Sequence, residues 1–261
     1  MSFYFVIEMP FQVMAEIEYN EWQKFRIKES EYIYFRLKLL HKTEEIHGLE
    51  NFEAPTNMRY IIRRGGDVMI TDNMWRNAVV LPLQDGSHLS SFFCQLFYTH
   101  AVQRHIIYLH SSLIDYQGRG LMFLGPSGIG KTTQAELWNQ YRDALIINGD
   151  VVFVQETPEA FLGWGTPWHG SSPYCENTSV PVKALVVLKQ APENSIRELT
   201  GFEKVTAVSS SVFYPRWLET GMELCLETLD HLLTALPVYE LSCRPDEDAV
   251  RLTEEKIFGN L

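Results

Sequence analysis

Nine consecutive residues near the middle of the chain have the types and spacing of a phosphate-binding loop. The pattern G-x-x-x-x-G-K-[ST], with one further threonine, is met by Gly125, Pro126, Ser127, Gly128, Ile129, Gly130, Lys131, Thr132 and Thr133. In such a loop, backbone N–H groups surround the β-phosphate, the lysine reaches the β and γ oxygens, and the hydroxyl ligates Mg²⁺. We therefore predict that these residues bind ATP with Mg²⁺, with Lys131 projecting into solvent beside the phosphates. A chance match of a glycine-rich loop is the alternative.

The segments on either side of the loop support this prediction. The apolar run Leu121–Leu124 predicts a strand that leads into the loop, and an amphipathic helix is predicted from Thr132 onwards. The positive end of that helix would face the phosphates. The order strand, loop, helix is the context in which the motif is functional.

A histidine is expected at the mouth of the loop. The apolar run from His105 to Asp115 is joined to the strand 121–124 by a turn-like segment, which predicts a β-hairpin. If the turn centres on residues 117 and 118, His110 lies opposite Gly125. His110 is then a candidate catalytic residue, acting as a base or as a stabiliser of the transferred oxygens. A histidine that only completes its strand is the alternative.

A carboxylate is expected after the next strand. The run Ala144–Asn148 is short and apolar and ends at Gly149-Asp150, where nucleotide-binding folds of this type place an acidic residue for Mg²⁺ or for the nucleophile. Asp150 is therefore a candidate catalytic and metal-binding residue, together with Lys131 and Thr132. A turn aspartate without chemical function is the alternative.

Three later segments complete the pattern. An aromatic, glycine-rich loop from Gly163 to Gly170 could close over a substrate, and His169 and Glu176 are secondary candidates for the base. A strand is predicted over Ala184–Leu188. A helix is predicted over Trp217–Leu236, with its apolar stripe in the core.

The elements that position these residues indicate an α/β protein with a smaller lobe. Short runs rich in aromatic and β-branched residues, such as Tyr32–Phe35 and Tyr60–Ile62, predict a mostly β N-terminal lobe. A connecting helix is predicted over Ser90–Arg104. We place the lobe at residues 1–100 and the nucleotide-binding domain at residues 101–261.

Composition excludes several classes of function. The net charge of -11 without a basic cluster argues against nucleic acid as a partner. The chain shows no stretch of 18 apolar residues and no basic, then apolar, N-terminus, so we expect no membrane partner and a cytoplasmic location. The four cysteines lack C-x-x-C spacing and are expected to stay reduced. A homo-oligomer is left open.

The quoted motifs together resemble the catalytic domain of HPr kinase/phosphorylase. The resemblance rests on His110, the hairpin, the loop 125–132 and Asp150, and it covers residues 105 to 155 well. It implies the P-loop fold of the HPr kinase C-terminal domain, which is shared with ATP-dependent phosphoenolpyruvate carboxykinase. Residues 134–138, 165–168, 180–183 and 241–246 look like a less characterised branch of HPr-kinase-like proteins. Some relatives in that broad group act in peptide natural-product pathways, where they phosphorylate a serine of a precursor peptide.

This resemblance implies an HPr-kinase-like serine kinase. ATP would be the donor, and the acceptor would be a hydroxyl, most simply a serine of a peptide, a protein or a small molecule. Two features depart from the family: Gly149 stands where HPr kinases have the first of two adjacent aspartates, and the later Glu-x-Arg-Gly signature is missing. The alternative function is a nucleotide-dependent protein that binds a peptide or partner with little phosphoryl transfer. Arg244 would contact nucleotide or substrate, or form a surface ion pair.

Overall fold

The structure is a computed structural model that describes residues 1–15, 20–40, 57–83, 88–218 and 220–259. The chain divides into two compact units, Met1–His100 and Ala101–Leu261. Each unit contains one large β-sheet, and helices occur in both, so the mixed α/β class predicted from the sequence is confirmed. Within the described ranges, no helix combines the length and the apolar character needed to cross a membrane.

The first unit is built on a sheet that has seven strands in the part of the chain that the structure describes. Its strands are β1 (Ser2–Val6), β2 (Met9–Met14), β3 (Arg26–Ile27), β4 (Arg36–Leu39), β5 (Met58–Arg64), β6 (Asp67–Asp72) and β7 (Asn77–Leu81). The spatial order is β3-β1-β2-β4-β7-β6-β5, in which β2, β4 and β7 run parallel and the other pairs are antiparallel. The run Tyr32–Phe35, which the sequence analysis counts among the β segments, is not assigned to a strand and lies directly before β4.

Aromatic rings fill the core of this unit. Phe11 stacks on Phe35 with ring centroids 4.6 Å apart, and Trp22 meets Tyr4 edge-on at 5.1 Å. The helix α1 (Leu89–Ala101) adds Phe97, whose ring contacts Phe11. Because large aromatic residues bury much apolar area each, this clustering explains why the lobe is rich in them.

The second unit holds a nine-stranded sheet and four α-helices among its described residues. The strands are β8 (Ile106–Tyr116), β9 (Arg119–Leu124), β10 (Leu145–Asn148), β11 (Val151–Glu156), β12 (Phe161–Trp164), β13 (Ser179–Gln190), β14 (Ser195–Leu199), β15 (Val212–Phe213) and β16 (Val238–Cys243). The helices are α2 (Lys131–Arg142), α3 (Gly201–Ser209), α4 (Gly221–Ala235) and α5 (Glu247–Phe258).

Three parallel strands form the centre of the second sheet. β9 pairs with β13 in parallel, and β13 pairs with β16 in parallel. The carboxyl ends of these strands therefore lie at one edge, which is where ligands bind in open α/β sheets. Trp138 of α2, together with Phe123 and Val186, belongs to the buried cluster that packs this helix and α5 on the sheet.

The register predicted for the hairpin is confirmed. Tyr116 lies opposite Arg119 and Ser111 lies opposite Leu124, as expected for a turn centred on residues 117 and 118. Gln117 and Gly118 have φ values of 55° and 75°, the left-handed conformation that a two-residue type I′ turn requires. The hairpin therefore places His110 level with the start of the phosphate loop.

Element boundaries differ from the sequence predictions where backbone contacts decide them. The helix predicted from Trp217 begins only at Gly221, because Leu218 N–H donates to Pro215 O and the chain turns first. The strand predicted over 184–188 extends to Ser179–Gln190, since it pairs with β9, β12 and β16 along its length.

Candidate functional site

The predicted phosphate loop joins β9 to α2. β9 ends at Leu124 and α2 begins at Lys131, one residue earlier than the sequence predicts. Gly128 and Gly130 have φ values of 78° and 114°, a region that side-chain-bearing residues rarely adopt. The first N–H groups of a helix have no acceptor within the helix, so those of α2 point towards the loop. The loop and helix together present the donors that an anion requires.

Lys131 folds back over the loop instead of projecting into solvent. Its side chain is buried, and Nζ donates to Gly125 O at 3.2 Å and to Pro126 O at 3.3 Å. The expectation of a solvent-exposed amine is therefore wrong, because the loop carbonyls offer acceptors within reach. The amine therefore lies against the backbone of the loop.

Thr132 lies in the first turn of α2, against the turn that carries Asp150. Its Oγ1 donates to Gly149 O at 3.0 Å, so the lone pairs of the hydroxyl remain available to a cation. Mg²⁺ prefers oxygen ligands and is bound in phosphoryl-transfer sites through one or two carboxylates plus substrate phosphates. The oxygen donors of Thr132 and Asp150 fit that requirement.

The fold brings His110 and Asp150 into direct contact. His110 Nε2 lies 2.8 Å from Asp150 Oδ1, and both side chains are partly exposed. This contact arises because β11 pairs with β8 in the register that sets Val151, the residue after Asp150, opposite His110. Level with His110, β9 has ended and the phosphate loop begins. On the other side of β8, β11 begins directly after Asp150.

Asn148 fixes the turn that presents Asp150, and the sequence analysis missed it. Its side chain is fully buried, and Oδ1 accepts from the N–H groups of both Asp150 and Val151 at 3.0 Å. Its Nδ2 donates to Thr166 O and Trp168 O. An asparagine just before Gly-Asp is a signal for such a side-chain-closed turn. Asn148 thus ties the turn to the following loop.

Gly149 is required by a close approach of Ser172. A Cβ on residue 149 would lie 1.8 Å from Ser172 Oγ and 2.5 Å from Ser172 Cβ. Any side chain at this position would therefore displace the loop. This packing leaves no space for a second carboxylate before Asp150.

We expect Gly149→Ala to destabilise the protein by about 1–3 kcal/mol, the usual cost of forcing extra atoms into a packed site. Ser172→Gly removes both clashing atoms, so the double variant should recover most of this loss. The free energy of unfolding in urea measures both changes. Wild-type stability of Gly149→Ala alone would contradict the proposed clash.

Charges around Asp150 favour its ionised form. The hydrogen bond from His110 is the main cause that holds the pKa of Asp150 below its ordinary value, and the charges of His110, Lys131 and His169 act in the same direction. Burial opposes this shift. Burial also lowers the pKa of Lys131, and Asp150 opposes that change. Asp150 is therefore a carboxylate at neutral pH.

This lowered pKa predicts an acid-dependent contribution to stability. As the pH falls through 3.8, the ordinary value for an aspartate, the unfolded chain takes up a proton while folded Asp150 stays ionised. The contribution is therefore present above 3.8 and is lost as the pH falls through the lowered folded-state value. The stability difference between wild type and Asp150→Asn, measured by urea unfolding, should shrink over this acid range. A difference independent of pH would contradict the prediction.

The two secondary base candidates occupy different surroundings. His169 lies close enough to Asp150 for its charge to affect that carboxyl, and its Nδ1 contacts Ser172 O. Glu176 is held through its backbone, whose N–H donates to Ile147 O at 2.8 Å. Gly163 is part of β12, and Thr166 and Trp168 are buried, so these parts of the predicted glycine-rich loop form a packed wall.

Gly170 of this wall lies against the second oxygen of Asp150. A Cβ on residue 170 would come within 2.2 Å of Asp150 Oδ2, and the residue has a φ of 58°. The absence of a side chain on residue 170 allows this close approach to Oδ2. The described site thus pairs one oxygen of Asp150 with His110 and leaves the other next to glycine.

Comparison with known proteins gives one family match and a distant structural likeness. The Hpr(Ser) kinase/phosphatase from Coxiella burnetii is similar to 58% of this chain and 93% of its own, with 12% sequence identity and a TM-score of 0.33. No curated protein sequence matches the chain. Residues 88–236, just over half of the chain and including the phosphate loop, His110 and Asp150, match one family. The chain belongs to the family described as SynChlorMet cassette protein ScmC.

Proposed function

We propose that this chain is an ATP- and Mg²⁺-dependent kinase that transfers the γ-phosphoryl group to a hydroxyl, most simply a serine of a peptide, a protein or a small molecule. The observation that carries the proposal is the 2.8 Å contact between His110 and Asp150 beside the phosphate loop. A hydrogen-bonded histidine and carboxylate at a phosphate site can orient an acceptor and take its proton.

The phosphate loop and Lys131 would bind the nucleotide. Lys131 Nζ, which donates to the carbonyls of Gly125 and Pro126, would exchange these hydrogen bonds for contacts to the β- and γ-phosphate oxygens when the nucleotide binds. Positive charge aimed at these oxygens stabilises the transition state of phosphoryl transfer. Thr132 and Asp150 would hold Mg²⁺, and the bound cation would neutralise part of the negative charge of the phosphates.

Asp150 would receive the proton of the acceptor. The hydroxyl oxygen forms a bond to the γ-phosphorus, the bond from that phosphorus to the β-γ bridging oxygen breaks, and ADP leaves. The hydroxyl proton passes to Asp150 Oδ2, the oxygen beside Gly170. His110 acts as a positioning residue, because its hydrogen bond orients the carboxylate through Oδ1 and keeps it ionised.

The test is mass spectrometry of candidate acceptors after incubation with Mg-ATP. The word cassette in the family description supports taking peptides encoded beside this chain as the first candidates. We expect one of them to gain a phosphoryl group on a serine, and a serine-to-alanine peptide to gain none. ATP binding without phosphoryl transfer to any of them would favour the alternative, a nucleotide-dependent binding protein.

A further inference from the structure

A cavity of about 370 Å³ opens beside the phosphate loop, on the side away from β8. Residues 128–130 of the loop and residues 243–245 after β16 line it, together with Gln134 of α2 and the end of β13. The cavity therefore lies at the carboxyl ends of the parallel strands β13 and β16, adjoining the loop that follows β9. Its volume is at the lower end of the range for pockets that bind small organic ligands.

Gln134 is the buried polar side chain of this cavity. It is only 3% exposed, and its Nε2 donates to Cys243 Sγ at 3.3 Å. Its other amide atom, Oε1, has no hydrogen-bond partner among the residues that the structure describes. A buried amide oxygen normally has a partner. Because the terminal torsion of glutamine is broad and a thiol is a weak partner, a modest rotation would present the amide to the cavity.

The rest of the lining suits a flat, uncharged ring. Ile129 and Leu188 are apolar walls. Burial raises the pKa of the Cys243 thiol to about 11, so it is uncharged at neutral pH. Arg244 is largely exposed, and its guanidinium is bound by Asp246 at 3.1 Å. The surface ion pair, one of the two expectations for Arg244, is thus present. The buried polar group of the lining is the neutral amide of Gln134.

We propose that this cavity binds the base of the triphosphate held by the loop, and that Gln134 selects a 6-aminopurine over a 6-oxopurine. The inference rests on the proposed function, since it assumes that the loop holds a triphosphate. A carboxamide offers one donor and one acceptor, which match N7 and the amino group of adenine. Guanine presents two acceptors on the same edge, so the amide oxygen would face another acceptor.

Calorimetry in the presence of Mg²⁺ tests this with ATP, GTP and inorganic tripolyphosphate as probes. We expect the wild type to bind ATP about tenfold or more tighter than either of the others, the usual scale for one bidentate contact to a base. Gln134→Leu should lose the preference for ATP over GTP, while its affinity for tripolyphosphate stays unchanged. Gln155→Leu, which removes another buried glutamine of this unit, should keep the preference.

Other results would overturn the inference in distinguishable ways. Equal affinity of the wild type for ATP and tripolyphosphate would remove the base site and leave the kinase proposal intact, and this measurement needs no variant. The role of Gln134 would be contradicted if the wild type bound GTP more tightly than ATP. It would also be contradicted if Gln134→Leu still preferred ATP over GTP. If no probe binds, the phosphate-loop assignment fails, and this inference fails with it.

Discussion

Lys131→Ala is expected to lower ATP turnover by about 10²-fold or more, because it removes the amine that would stabilise charge on the transferred oxygens. The affinity for ATP should fall as well, since the same amine would contact the β- and γ-phosphates in the bound state. Calorimetry with ATP and the rate of ADP formation measure the two effects. A small loss of stability, about 1 kcal/mol, is expected from the broken bonds to Gly125 O and Pro126 O.

Lys204→Ala is the matched control for this change. Lys204 also donates its amine to a backbone carbonyl, Leu236 O at 2.7 Å, but it lies on α3, outside the residues that form the site. The control should lose comparable stability and keep its ATP turnover. If Lys131→Ala keeps both its affinity and its turnover, the phosphate loop does not bind nucleotide and the central proposal is wrong.

Asp150→Asn is expected to reduce phosphoryl transfer by about 10²-fold or more, because an amide cannot take the proton of the acceptor. The dependence of the rate on Mg²⁺ should also weaken, since one charge near the cation is lost. His110→Gln keeps a hydrogen-bond donor and should cost less, about tenfold, as losses of orienting partners usually do. The double variant should be no slower than Asp150→Asn alone, because His110 acts through that carboxylate. The rate of ADP formation, with the unphosphorylated acceptor peptide found by mass spectrometry, measures each variant.

A second histidine–carboxylate pair provides the control. His231 Nδ1 lies 2.9 Å from Glu156 Oε1, in the same unit but outside the site. His231→Gln and Glu156→Gln should leave the transfer rate unchanged. The pH profile separates the roles of His110 and Asp150: if His110 were the base, the rate would depend on pH in the wild type and would lose that dependence in His110→Gln. Near-normal transfer by Asp150→Asn would move the proton acceptor to another residue, such as His169.

Local sequence determined several parts of this protein. The phosphate-loop motif is contiguous, so its residues are neighbours whatever the rest of the chain does. The hairpin register followed from a two-residue turn, because Gln117 and Gly118 adopt the left-handed conformations that fix the pairing of the strands. From that register, His110 could be placed at the loop before any tertiary contact was known.

Tertiary structure decided which groups meet. The contact between His110 and Asp150 joins residues 40 positions apart, and it exists because β11 pairs with β8 in the register that sets Val151 opposite His110. The burial of Lys131 depended on where the carbonyls of its own loop point, which its residue type does not specify. The cavity beside Gln134 depended on β13 and β16 ending next to the loop.

The missing second carboxylate shows the same division most directly. The sequence alone showed that glycine stands at position 149, where HPr kinases have an aspartate. It did not show what the structure has in place of that side chain. In the structure, Ser172 occupies the space that a side chain at position 149 would need. Ser172 belongs to a loop more than twenty residues later in the chain. Short-range turn chemistry can be deduced from the order of residues, whereas steric exclusion between distant segments depends on how the whole chain packs.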